Sequence, residues 1–189
     1  MNTAFVHKET SITNRIYVPC VIDKVGTGIS TNAKVNALWD TGATRTCISE
    51  RLATRLGLMA DDQETLRVAD GREIQSNVYS VQMTLGIFTI DFIRVCEISY
   101  DDNSHDVIIG MDFMSKGDVS ITNFNGTTVL SFREPSIETI NYVDEINLFN
   151  RCLTVHNVNV AHNIKSDKCA CGSGKTFRNC HGKSKYNRQ

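Results

Sequence analysis

Ala37-Leu38-Trp39-Asp40-Thr41-Gly42-Ala43 is the stretch on which the reading of this chain turns. Val35, Ala37 and Trp39 alternate with Lys34, Asn36 and Leu38, the period of a short, largely buried strand. The strand runs into an acid, a hydroxyl and a glycine. Gly42 lets the backbone turn sharply and approach another chain. Asp40 then stands at the end of a core strand, where a carboxylate is poorly solvated. Such an acid is unfavourable unless it is paired, hydrogen-bonded or used.

A carboxylate works as a general acid or base when its pKa moves toward the working pH. Two neighbouring carboxylates do this to each other, because both cannot ionise freely and they share one proton. Asp-Thr-Gly occurs once in the chain. One chain therefore supplies half a dyad, and a two-fold homodimer supplies the other half at its axis. The plainer alternative is that Asp40 caps a turn, as aspartate often does.

Asp40-Thr41-Gly42-Ala43, continued by Thr44-Arg45-Thr46-Cys47-Ile48-Ser49, resembles the active-site loop of retropepsin-like (retroviral-type) aspartic proteases. A second stretch, Val107-Ile108-Ile109-Gly110-Met111-Asp112-Phe113-Met114, resembles the apolar-Gly segment that packs behind that loop. The resemblance implies a mainly β fold, a small closed barrel of the acid-protease type with one lobe per chain and short helices. It implies peptide-bond hydrolysis by a homodimer. Asp40, Thr41 and Gly42 take the catalytic positions, and the matching threonine hydroxyls lock the two loops together across the axis. Leu66 to Ile74 reads as a hairpin with a two-residue Asp70-Gly71 turn. By resemblance it is a flap that closes over an extended peptide, so Ala43, Ala69, Asp70 and Gly71 are the expected substrate contacts. A binding module that kept the barrel without hydrolysis is the alternative.

Around this centre the chain divides into a loose segment 1–14, the protease-like domain 15–133, a helix and linker 134–164, and a tail 165–189. Tyr79, Val81, Met83 and Leu85 alternate with polar residues as one strand, and Ile87 to Ile98 is more evenly apolar, as a central strand is. Pro19 suits an edge or a bulge. Ser49-Glu50-Arg51-Leu52 opens a short helix that Gly57 can end. His105 reads as a solvated loop residue. Ser136 is the expected cap of a helix reaching about Phe149, followed by an Asn-rich linker over 157–163.

The tail holds Cys169-Ala170-Cys171, then Cys180-His181. Three thiols and an imidazole match tetrahedral zinc in a closed, structural site. Nearby Lys168, Lys175 and Arg178 favour the thiolates. The stretch resembles the SEC-C motif, with Cys180-His181 where many members have two cysteines. That resemblance implies zinc held by Cys169, Cys171, Cys180 and His181, a protein partner for the tail, and a bacterial source. Gly172-Ser173-Gly174-Lys175-Thr176 is not a phosphate loop, because Cys169 stands where that motif needs its first glycine.

Of the 20 Lys and Arg, seven lie from Lys165 onward against one acid, Asp167, so a basic tail follows an acidic body. Phe177 and Tyr186 are too few aromatics to stack bases, which disfavours nucleic acid. The first ten residues carry no apolar core of a signal peptide, and no run has the length of a membrane span. Seven cysteines without an export signal point to reduced thiols and a cytoplasmic location, with Cys20, Cys47, Cys96 and Cys152 as buried thiols.

Overall fold

The computed structural model describes residues 3–26, 31–68, 70–100, 102–160, 168, 173–176 and 179–180. The chain divides into two compact units, residues 1–137 and 138–189.

The first unit is built from strands. β2 (Tyr17–Lys24) and β3 (Ala33–Trp39) pair antiparallel, with Val35, Ala37 and Trp39 turned inward as their alternation requires. β4 (Cys47–Ser49) leads directly into helix α1 (Glu50–Leu56). Ser49 caps that helix by accepting from the Leu52 amide at 3.1 Å. β5 (Asp62–Arg67), β6 (Glu73–Leu85) and β7 (Phe88–Ile98) form successive antiparallel pairs. β8 (Val107–Ile109) lies between β3, which it joins in parallel, and β4.

The sheet order is β2-β3-β8-β4-β7-β6-β5, and an additional β2–β6 pairing closes it. The result is a closed barrel of six strands with β5 outside the ring on β6. Pro19 pairs only with β3, because β2 meets β6 from Val21 onward. The missing proline amide therefore faces no ladder. β6 is one strand of 13 residues that serves both the hairpin and the barrel, two elements the sequence pattern separates.

A second, three-stranded sheet has the order β1-β10-β9. It is made by β1 (Thr3–Lys8), β9 (Asp118–Thr122) and β10 (Val129–Glu134), after the short helix α2 (Met111–Met114). Residues 3–8 are thus a strand where a loose segment is expected. Phe5 sits opposite Phe132 in the β1–β10 register, and burial of both explains the ordering. These two rings join Trp39, Phe88 and Phe113 in one aromatic core, with Phe113 and Phe132 centred 5.0 Å apart.

The second unit contains helix α3 (Tyr142–Val160). Its cap is Asn141, whose side-chain oxygen accepts from the Val143 and Asp144 amides at 3.0 and 3.3 Å. Ser136, the expected cap, donates to Asp118 instead. The helix also runs past Phe149 into the Asn-rich segment expected to be a linker. No helix among the described residues is long and apolar enough to cross a membrane.

Candidate active site

β3 delivers Asp40 to one end of the barrel. The Asp40 amide donates to the Ile109 carbonyl at 3.1 Å, so the parallel β3–β8 pairing continues one residue past the strand. The chain then turns on itself. The Gly42 amide donates to Asp40 Oδ1 at 2.8 Å, and the Ala43 amide to the Asp40 carbonyl at 3.2 Å. Asp40 and Ala43 are half-buried, while Thr41 and Gly42 are exposed.

Behind the turn the loop is fastened to the start of α2. The Ala43 carbonyl accepts from the Met111 amide at 2.8 Å, and the Thr44 carbonyl from the Asp112 amide at 3.3 Å. Thr46 is completely buried; its hydroxyl accepts from the Gly110 amide at 3.2 Å and donates to Asp112 Oδ1 at 2.7 Å. A Cβ at position 110 would lie 2.5 Å from the Arg45 carbonyl carbon and oxygen and 3.0 Å from the Ala43 oxygen. Those are backbone atoms that cannot swing away, so only glycine fits. The segment Val107 to Met114 thus packs behind the Asp-Thr-Gly turn as the sequence led us to expect.

Residues 27–116 match the family model described as "gag-polyprotein putative aspartyl protease", and residues 166–183 match that of the SEC-C motif. The chain carries an aspartyl protease domain of that family and a SEC-C motif. Among solved structures, it is similar to a retropepsin-like aspartic protease from Rickettsia conorii at 12% identity and a TM-score of 0.45, covering 70% of this chain and 95% of that one. It is also similar to the retroviral protease-like domain of Ddi1 from Leishmania major, at 23% identity and a TM-score of 0.41, over 58% and 82% of the two chains. EIAV protease complexed with the inhibitor HBY-793 aligns at 16% identity and a TM-score of 0.41, over 53% and 86%. No curated protein matches the chain.

In the aspartyl protease domain the β5–β6 hairpin has a wider tip than a two-residue turn. The Val68 amide donates to the Arg72 carbonyl at 2.9 Å and the Gly71 amide to the Val68 carbonyl at 2.8 Å, which leaves residues 69–71 as the connection. Gly71 has φ +87, the left-handed region that glycine occupies without strain. Asp70 receives the Arg72 amide at 3.0 Å and its side chain at 2.6 Å, so its carboxylate is engaged within the tip. Ala69 lies outside the described residues. The hairpin meets the catalytic-type loop at its root, where Arg45 Nη2 donates to Glu64 Oε1 at 2.7 Å. Arg94 stands 2.8 Å from Asp62 and 3.9 Å from Glu64, and extends the chain of charges along the same edge.

Asp112, Thr46 and Arg45 are site residues that the sequence reading did not single out. A threonine in an apolar β run, six residues past the acid, and an acid inside the apolar-Gly segment were the available signals. His105 also differs from expectation: it is buried and stacked on Tyr100 with ring centres 4.9 Å apart. Arg51 fastens its loop through Asp106 at 2.5 Å and the His105 carbonyl. Burial pushes the imidazole pKa down, against an opposing pull from Asp102. In Asp106 burial acts upward, but the Ser49 and Arg51 contacts outweigh it and hold the carboxyl below its ordinary value.

Cys20, Cys47, Cys96 and Cys152 are buried thiols, as expected. Of the four expected zinc ligands, Cys169, Cys171 and His181 lie outside the described residues. Cys180 lies 3.3 Å from the Ser173 hydroxyl.

Proposed function

We propose that this chain is an aspartic endopeptidase that works as a homodimer, with one Asp40 from each copy. The observation that carries the reading is the two-sided Asp40 turn. Its back is pinned to Gly110, Met111 and Asp112, while Thr41 and Gly42 lie exposed on the other side. A symmetric partner meeting that exposed face brings two identical carboxylates together and gives them one shared proton. In hydrolysis, one carboxylate takes a proton from water as the water oxygen bonds to the scissile carbonyl carbon. The protonated partner gives its proton to the carbonyl oxygen. The C–N bond then breaks as the amine nitrogen gains a proton. Thr41 and Gly42 shape the turn, and Ala43 with the hairpin tip at Ala69, Asp70 and Gly71 holds an extended peptide by its backbone.

The tail is a structural zinc site in this reading. Cys169, Cys171, Cys180 and His181 hold the ion, which closes the tail and offers it to a protein partner. The donor set supports this assignment. The protein operates in the bacterial cytoplasm on peptide or protein substrates.

The decisive experiment combines a solution mass with an unstructured-peptide cleavage assay. We expect a dimer, cleavage blocked by a peptidomimetic aspartic protease inhibitor, and no cleavage by Asp40→Asn with an unchanged fold. Undiminished cleavage by that variant, or a strict monomer that cleaves, overturns the proposal. A folded dimer without cleavage leaves the binding-module reading in its place.

A further inference from the structure

Two thiols face each other in the barrel wall beside the Asp40 loop. β4 and β7 run parallel, and Cys47 and Cys96 are direct partners in their register. Register partners project to the same side of a sheet, and both side chains belong to one small buried cluster with Val78. Neighbouring strands lie about 4.8 Å apart. That spacing falls within the Cα separation of about 4.4–6.8 Å that a disulfide spans.

The surroundings of this pair are not those of inert core cysteines. The Cys47 thiol donates to the Arg45 carbonyl at 3.5 Å, and the Cys96 thiol approaches Glu64 Oε2 at 3.9 Å. The Arg45 side chain hydrogen-bonds Cys96, and a guanidinium beside a thiol favours the thiolate. Burial raises the pKa of both thiols; Cys47 reaches about 12, whereas Arg45 counteracts the rise at Cys96. Cys96 is therefore the better nucleophile. The side chains of Arg45 and Glu64, 33% and 32% exposed, form an ion pair over the site. A small oxidant has only to pass this one pair.

We propose that Cys47 and Cys96 form a redox-active dithiol that closes to an intramolecular disulfide when the protein meets a peroxide. The Cys96 thiolate attacks one peroxide oxygen, the O–O bond breaks, and the departing hydroxide leaves as water after taking a proton. Cys96 is then a sulfenic acid. Cys47 sulfur attacks it, gives up its proton, and the S–O bond breaks to release a second water. Two thiols are oxidised and one peroxide is reduced to two waters. A thiol reductant reopens the bond by exchange. The change reaches the Asp40 loop directly, because the Cys96 amide donates to the Thr46 carbonyl at 3.0 Å and Cys47 follows Thr46 in the chain. None of this depends on the proteolytic reading.

The test uses the full chain treated with hydrogen peroxide, alkylated, digested with trypsin and mapped by mass. We expect a fragment joining 46–51 to 95–116, lighter by the two lost hydrogens, that disappears on reduction with dithiothreitol. Cys47→Ser should stop at a Cys96 sulfenic acid that dimedone traps. Arg45→Met should slow the cross-link by about tenfold. If the other cysteines oxidise while 46–51 and 95–116 stay unlinked, the proposal fails. It fails equally if dimedone never marks Cys96 in the Cys47→Ser protein. The wild-type map decides even where a serine variant folds poorly.

Discussion

The two halves of the loop from Asp40 to Thr46 are held in opposite ways. Ala43 to Thr46 is tied to α2 by the Met111 and Asp112 amides and by the buried Thr46 hydroxyl, with Gly110 pressed against its backbone. Asp40 to Gly42 keeps the Ile109 contact and a turn of its own, and its outer residues face solvent. The difference teaches that this chain completes the support of the acid alone but leaves the front of the acid open. Stability is concentrated in the first half, whereas the proposed chemistry needs the second.

Breaking the pinned half should therefore have the larger effect on folding. Gly110→Ala forces a methyl to within 2.5 Å of the Arg45 carbonyl. We expect a loss of about 3 kcal/mol or more, read as a collapsed midpoint in urea unfolding. Thr46→Val keeps the shape but strands the Gly110 amide and removes a donor from Asp112. A loss of about 2 kcal/mol is expected in the same assay. An unchanged midpoint in both variants would erase the contrast between the halves.

Ser49→Ala is a smaller perturbation, removing the cap at Leu52 and the 2.7 Å contact to Asp106; about 1 kcal/mol is expected. Gly42→Ala sharpens the contrast from the open side. Its methyl would sit 3.1 Å from Asp40 Oδ1, a contact that a small shift relieves. Stability should change by less than about 0.5 kcal/mol, while peptide cleavage, if Asp40 performs it, should fall.

Acid acts on a different part of the same barrel. The folded His105 prefers to be neutral, so its contribution is present above the unfolded histidine value and is lost as pH falls through the lowered folded one. Asp106 adds to this at lower pH, where its depressed carboxyl takes up a proton. Thermal midpoints should therefore decline from about pH 6.5 downward. His105→Phe should flatten the upper part of that decline.

Much of this architecture was legible in the residues. Alternation through Val35, Ala37 and Trp39 located the strand that carries Asp40, and Gly110 marked the close approach behind it. What stayed hidden was set by tertiary partners. Residues 3–8 read as polar chain until Phe132 supplied a ring for Phe5 to pack on. His105 read as loop because its stacking partner Tyr100 contributes nothing periodic to the sequence. The start of α3 at Asn141 could not be told from Ser136, since both are good caps and only the competing claim of Asp118 on Ser136 separates them. Asp112 looked incidental within an apolar segment, because its use depends on a hydroxyl 66 positions away.

The length of β6 constrains how this domain can change. One strand of 13 residues builds the inner edge of the hairpin and then a stave of the barrel. Lengthening or shortening it anywhere between Glu73 and Leu85 shifts every inward residue to the outside. Residues 69–71 escape that restriction, so variation in reach over a bound chain can accumulate at the hairpin tip while the stave stays fixed.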